Sequence, residues 1–204
     1  MKIKKLIAVL IAVVLVTSSV MSVSAAELSD VTPGNSTEVK ANIVDPGNVS
    51  YVITIPATAD FGTLTQPENT GNDNYTYYGF QVEATELNIK SNQGVSVYVK
   101  DSASSDDQFY ITQKDVSDPF KMQYSVYSAS VDDSNINDYT ALNENNAATY
   151  GYHLCTFLSG TQGSTQNVTL ALNQNALYGQ ELSVIAGDYS GTIMFHSALI
   201  EIGG

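Results

Sequence analysis

The feature that most constrains the fold of this chain is an alternation of apolar and polar residues with a period of two. Successive side chains of a β-strand point to opposite faces of a sheet, so this alternation is typical of strands with one buried face. Short strands between turn-rich segments favour an antiparallel sandwich or barrel. We predict strands at residues 38–44, 50–55, 80–84, 87–89, 95–99, 122–126, 152–158, 168–172 and 191–202.

The N-terminal residues have the pattern of an export signal. Three lysines within the first five residues precede an apolar run at 6–16, and small residues follow at 23–26. This order is typical of a secretory signal peptide, and the apolar run is shorter than the roughly 20 residues of a transmembrane helix. We predict a signal peptide at residues 1–26, cleaved after Ala25 or Ala26, and no membrane span after cleavage.

The composition excludes several classes of protein. The chain has 21 acidic residues against eight lysines, no arginine, one cysteine and a net charge of −13. A nucleic-acid-binding face needs clustered cations, and a disulfide framework within one chain needs paired cysteines. Residues 27–204 are enough to bury one independent core. We therefore predict a single domain at 27–204, extracellular or loosely associated with the cell surface.

Two segments carry a resemblance to a known group of proteins. Residues 51–62, YVITIPATADFG, resemble the opening strand and turn of immunoglobulin-like domains in secreted surface proteins of Gram-positive bacteria. Residues 186–195, AGDYSGTIMF, are similar to the closing strand of such domains and of WxL cell-wall-binding domains. The resemblance implies an all-β, antiparallel immunoglobulin-like β-sandwich of about eight to ten strands. The chain has no tryptophan, so the peptidoglycan-binding role of WxL domains does not carry over.

Local geometry gives two further expectations within these segments. Pro56 has no backbone N–H to donate to a β-ladder, so we predict that it ends its strand. Gly187 and Gly191 bracket Tyr189 at the entry to the last strand. This setting is typical of a tyrosine corner, in which the ring packs and its hydroxyl bonds to nearby backbone.

The candidate catalytic and zinc-binding residues form no complete site in the sequence. His153 and Cys155 would share one face of a strand with Cβ atoms about 7 Å apart, too far for direct activation of the thiol. His153, His196 and Cys155 together are one ligand short of a structural zinc site. We predict a buried Cys155, no catalytic residues, no bound metal and no cofactor, and therefore a non-enzymatic protein.

One acidic loop partly matches a calcium-binding pattern. The loop 133–144 runs from Asp133 to Glu144 and places oxygen ligands at positions 1, 3, 5 and 12 of an EF-hand-type loop. Asp138 stands at position 6, where the sharp turn needs glycine. We predict that this loop binds no calcium. Residues 135–149, which overlap this loop, are the only segment whose sequence permits a short helix.

A tyrosine cluster is the candidate ligand-contact site. Tyr75, Tyr77 and Tyr78 lie beside Asn72 and Asn74, and aromatic faces next to amides suit saccharide stacking. The alternative is an ordinary strand surface, because tyrosine has a high strand propensity.

These observations favour a secreted or cell-surface-associated, non-enzymatic structural and adhesive protein. Its expected partner is a cell-surface or host extracellular component, such as a glycan. One alternative is an extracellular carbohydrate-binding module. A second alternative is a pilin-like subunit in which the strand at 38–44 exchanges between copies. Pairing of this strand with its own sheet has the higher effective concentration, so we predict a mostly monomeric protein.

Overall fold

We describe the fold from a computed structural model that covers residues 25–27, 49–71, 74–102, 106, 108–144 and 147–203. The strands are β1 (Ala25–Glu27), β2 (Ser50–Pro56), β3 (Tyr75–Asn88), β4 (Gln93–Asp101), β5 (Phe109–Gln113), β6 (Lys121–Tyr127), β7 (Tyr152–Leu158), β8 (Thr165–Asn173), β9 (Tyr189–Ser190) and β10 (Ile193–Glu201). The helical segments are three 3₁₀ turns, Ile136–Asp138, Leu142–Glu144 and Gln174–Leu177, and one α-helical turn, α1 (Leu182–Ile185).

The strands form two antiparallel sheets. The larger sheet has the order β1-β2-β3-β8-β6-β5-β9, and the smaller sheet has the order β10-β4-β7. The two sheets face each other across one core, where the hydroxyls of Tyr51 and Ser197 lie 3.3 Å apart. The predicted all-β sandwich of about eight to ten antiparallel strands is confirmed.

The core follows directly from the alternation of the strands. In β2, Tyr51, Ile53 and Ile55 are buried while the residues between them are half-buried. Most of the remaining buried apolar side chains come from β4, β6, β7 and β8 and join the same cluster. Burial of a large apolar side chain stabilises a fold by about 1.5–3 kcal/mol, so this cluster is the main source of stability.

The outer face of the larger sheet is partly covered by the segment that follows β6. Val131, Ile136 and Ala141 of this segment are buried with Tyr127 and Ala171 in a second, smaller apolar cluster. The segment holds two 3₁₀ turns in place of the short helix that the sequence permits. Aspartate and asparagine side chains accept hydrogen bonds from backbone N–H groups here, as from the Ser134 N–H to Asp132 and from the Asp132 N–H to Asn135, and such bonds compete with a helix.

The predicted strands agree with the structure wherever it describes them, with two main differences. The segments 80–84 and 87–89 belong to one long strand, β3. Strand β5 lies in a region for which we predict no strand. The predicted strand at 38–44 lies outside the described residues, as does most of the predicted signal peptide. Among the helical segments described, none exceeds four residues, which is far short of a membrane-crossing helix.

Both local expectations at the strand ends are confirmed. Strand β2 ends at Pro56. The hydroxyl of Tyr189 donates a hydrogen bond of 2.6 Å to the carbonyl of Ile185, and its ring packs against the core. At Gly191 the chain leaves the larger sheet for the smaller one, and a Cβ there would lie 2.2 Å from the carbonyl oxygen of Tyr110. Only glycine permits so close an approach.

Candidate functional site

The candidate site lies on the outer face of the three-stranded sheet, which is the face turned away from the larger sheet. Strand β4 is central, and its Tyr98 pairs with His196 of β10 and with His153 of β7. These three side chains therefore form one row across the sheet. The two histidines are exposed and Tyr98 is half-buried. The rings of Tyr98 and His153 meet edge to face with centroids 5.5 Å apart.

A tight turn places a fourth aromatic ring over this row. The turn is closed by two hydrogen bonds between Ala148 and Gly151, of 2.9 and 3.0 Å, which leave Tyr150 near its tip. The Tyr150 ring stacks on His196 with centroids 4.0 Å apart and an interplanar angle of 14°. It also contacts Tyr98 at 5.8 Å. We call the four residues Tyr98, Tyr150, His153 and His196 the aromatic platform.

Polar and charged groups border the aromatic platform. Nε2 of His153 lies 2.9 Å from the hydroxyl of Thr156, which lies 2.8 Å from the hydroxyl of Ser96. On the opposite side of the platform from Thr156, Lys100 and Met194 form the next pair of β4 and β10 on this face. Their side chains line a small cleft of about 90 Å³ together with the platform residues Tyr150 and His196. The site therefore combines ring faces, hydroxyl groups and a cation.

The same face carries much of the exposed apolar surface. In the described ranges, nine large apolar side chains are exposed, and four of them lie on or beside this face. These are Tyr150 and Met194 at one end and Leu158 and Ile202 at the other. Exposed aromatic and apolar side chains concentrated on one face are typical of interaction sites, so this face is the best candidate for a binding surface.

The environment of His196 favours its neutral form. Partial burial, and next the charge of Lys100, hold the pKa of His196 below its usual value of 6.5. The unfolded chain binds this proton more tightly, so the group lowers stability as the pH falls below about 6.5.

We expect the substitution Lys100→Gln to raise the pKa of His196, because it removes the nearby positive charge. NMR titration of the imidazole signals measures this pKa directly. The matched variant Lys121→Gln removes a lysine from the larger sheet and should leave the titration unchanged. An unchanged midpoint in Lys100→Gln would contradict the electrostatic contact between these two side chains.

The structure separates the three tyrosines that the sequence suggests as ligand contacts. Tyr75 and Tyr77 stack on each other at 5.9 Å and pack against the second apolar cluster. The hydroxyl of Tyr77 donates to Asp133 over 2.8 Å. Tyr78 packs against the main core and donates to the carbonyl of Thr58. Tyr75 and Tyr77 are thus brought together on one face of β3, while Tyr78 lies on the other face.

The prediction that His153 and Cys155 share one face of β7 is wrong. The pairing with β4 shifts at this point, because Cys155 pairs with Val97 while His153 pairs with Tyr98. Leu154 is therefore an extra residue, and a bulge of this kind changes the face on which the following side chain lies. As a result His153 is exposed on the outer face, and Leu154 and Cys155 are both buried in the core.

The buried position of Cys155 makes its thiol unreactive. Burial raises the pKa of the Cys155 thiol to about 12, and the thiolate is the nucleophilic form. We expect a thiol reagent at pH 8 to modify the native protein far more slowly than the urea-unfolded protein. Mass spectrometry after timed labelling measures both rates. Equal rates would show that the thiol is accessible in the native fold.

The structure accounts for part of the predicted acidic loop. Asp133 accepts the hydrogen bond from Tyr77, and the neighbouring Asp132 accepts from the backbone and hydroxyl groups of Ser134. Among the residues whose side chains are described, no group of three or more metal-ligating side chains has the geometry to hold an ion. That this loop binds no calcium stays a prediction, since the side chain of Glu144 is not among those described.

The comparisons with known proteins do not identify a family. No protein-family model matches the chain, and no curated protein matches it. Among solved structures, it resembles a chain from a structure described as a chaperone–tip adhesin complex vital for synergistic activation of CFA/I fimbriae biogenesis. That likeness has 13% identity and a TM-score of 0.35, and covers 73% of this chain. This protein spans about half, 50%, of the other chain.

Proposed function

We propose that the protein is a secreted or cell-surface-associated, non-enzymatic structural and adhesive protein that binds through the outer face of its three-stranded sheet. The signal-like N-terminal sequence supports export. The resemblance of residues 51–62 and 186–195 to surface proteins of Gram-positive bacteria supports a place at the cell surface. The expected partner is a cell-surface or host extracellular component, such as a glycan.

The observation that carries this proposal is the exposed aromatic and apolar surface around the aromatic platform. A ring such as Tyr150 supplies a large contact area at a low cost in conformational entropy. The ring is already held by its stacking on His196 and its contact with Tyr98, so binding requires little further ordering of this side chain. Both properties suit a protein whose task is to hold on to a surface.

The test is adherence of the secreted form to immobilised extracellular matrix and to whole cells of the producing organism. The variant Met194→Glu places a charge on the candidate face, where Met194 is 41% exposed. The matched variant Leu182→Glu places the same charge on an apolar side chain elsewhere that is 63% exposed. We expect saturable adherence that Met194→Glu reduces about tenfold or more and that Leu182→Glu leaves unchanged. Equal adherence of both variants would contradict the proposal.

A second candidate function is that of a pilin-like subunit, and the edge of β2 favours it. Strand β1 pairs with the last three residues of β2, from Thr54 to Pro56. The predicted cleavage after Ala25 or Ala26 removes one or two of the three residues of β1 and so opens part of this edge. An open edge is a template for another strand, such as the predicted strand at 38–44.

Size-exclusion chromatography and electron microscopy of the secreted form distinguish these two functions. We expect a mostly monomeric protein, since pairing within one chain has the higher effective concentration. Filaments that disappear when residues 38–44 are deleted would instead favour the pilin-like function.

A further inference from the structure

We infer that the ligand of the aromatic platform is an acidic saccharide, with a sugar ring stacked on Tyr150 and a carboxylate facing Lys100. This inference rests on the proposed function, because it names the ligand of the same face. It concerns residues other than the tyrosines that the sequence suggests as sugar contacts.

The Tyr150 ring is accessible to a ligand from one side. One side of this ring packs on His196, and the side chain remains 45% exposed. The ring is held at the tip of a two-residue turn and is braced by Tyr98. It therefore offers a fixed, electron-rich face to solvent. The C–H groups on one side of a sugar ring are attracted to such a face through its quadrupole.

Polar groups that can orient a saccharide lie beside the Tyr150 ring. A saccharide is oriented by a few hydrogen-bonding groups placed around an apolar contact. His153, Thr156 and His196 supply ring nitrogens and a hydroxyl on the same face. The hydroxyl groups of a sugar both donate and accept hydrogen bonds, so they match this mixed set.

The three-stranded sheet carries few charged side chains. On the three strands of this sheet the carboxylates are Asp101 and Glu201. Asp101 is buried and accepts a hydrogen bond from the backbone N–H of Tyr110. Glu201 lies five residues beyond His196, or about 17 Å along β10. Interactions between exposed charges are screened beyond about 8 Å at physiological ionic strength. Of the charged side chains on these three strands, Lys100 is the one that lines the cleft beside the aromatic platform.

The surface around the aromatic platform is shallow. The cleft beside the aromatic platform has a volume of about 90 Å³, well below the roughly 300 Å³ at which pockets begin to enclose a small ligand. The ligand therefore lies across the face instead of entering it. Beyond the hydroxyl pair of Ser96 and Thr156, exposed apolar side chains recur on this face at Leu158 and Ile202. An extended chain of sugars suits this surface better than a single compact molecule.

The test uses isothermal titration calorimetry of the secreted protein with three probes. These are oligogalacturonate, the same oligosaccharide as its methyl ester, and poly-glutamate. We expect oligogalacturonate to bind most tightly and its methyl ester about threefold more weakly, as for the loss of one exposed ion pair. Tyr150→Ala should weaken binding about tenfold, whereas Tyr150→Phe should retain it, because stacking needs the ring and not its hydroxyl.

Two matched variants control for general effects on the protein. Tyr178→Ala removes a tyrosine of similar exposure, 47%, from another surface and should leave the affinity unchanged. Lys100→Gln should abolish the preference for the acid over its ester, while Lys121→Gln should preserve that preference. Circular dichroism of each variant confirms the fold before titration.

The outcomes separate failure of this inference from failure of the proposed function. Absence of binding to oligogalacturonate, equal binding of acid and ester, or equal binding of poly-glutamate would each overturn the acidic saccharide as ligand. If Met194→Glu still reduces adherence in those cases, the adhesive face stands and its ligand is of another class. If Met194→Glu leaves adherence unchanged, the proposed function itself is wrong.

Discussion

Replacing Gly151 with alanine is expected to lower the free energy of unfolding by about 3 kcal/mol or more. A Cβ at this position would lie 2.3 Å from the carbonyl oxygen of Val99, and the φ angle of +106° is one that other residues rarely adopt. Overpacking costs about 1–3 kcal/mol and a strained backbone conformation costs a similar amount. Urea unfolding of the purified variant measures the sum of both effects.

Gly160→Ala separates these two contributions. Gly160 has a φ angle of +83°, but nothing lies within 4 Å of a Cβ built on it. This variant should therefore show the backbone strain without the clash and lose less stability than Gly151→Ala. Equal losses would show that the contact with β4 is unimportant. The contact matters for the site as well, because it holds the turn that carries Tyr150 against the sheet.

Replacing Phe109 with alanine should destabilise the fold by about 3–5 kcal/mol, the usual cost of removing a fully buried aromatic ring. Phe109 has no exposed surface. Its ring contacts Tyr124 of the larger sheet at 5.5 Å and Tyr152 of the smaller sheet at 5.8 Å. The cavity would therefore open between the two sheets. Neither sheet can close it alone, because both line it.

Thermal and urea denaturation of Phe109→Ala and of Tyr139→Ala provide the comparison. Tyr139 is 46% exposed, so the loss of its ring should change stability by less than about 0.5 kcal/mol. A similarly small effect in Phe109→Ala would mean that the two sheets do not pack through this ring.

The architecture could be predicted from the sequence because burial of one face leaves a direct record in the alternation. Strands β2, β6 and β8 carry this record in residues such as Ile53, Met122 and Leu170. Strand β5 does not, because Phe109, Tyr110 and Ile111 are apolar or amphipathic in succession and give no period of two. Its position depends on pairing with β6 and β9, which tertiary contacts decide.

The candidate site could not be predicted because its residues meet only through pairing between strands distant in sequence. His153 and His196 are both visible in the sequence, but nothing there shows that each pairs with Tyr98. The bulge at Leu154 places His153 and Cys155 on opposite faces of β7, although two residues so spaced normally share a face. A single extra residue of this kind leaves no pattern in the sequence from which it could be predicted. The glycine at 151 was the one available signal of a close turn that positions Tyr150.

The central claim, that the outer face of the three-stranded sheet is the adhesive face, is tested most directly by histidine footprinting. The chain has two histidines, and both lie on this face. Diethyl pyrocarbonate modifies exposed imidazoles, and mass spectrometry reports each site in free and in surface-bound protein. We predict that His153 and His196 are both protected on binding while ethoxycarbonylation of Lys121 on the larger sheet is unchanged. Unchanged modification of both histidines in the bound protein would contradict the account.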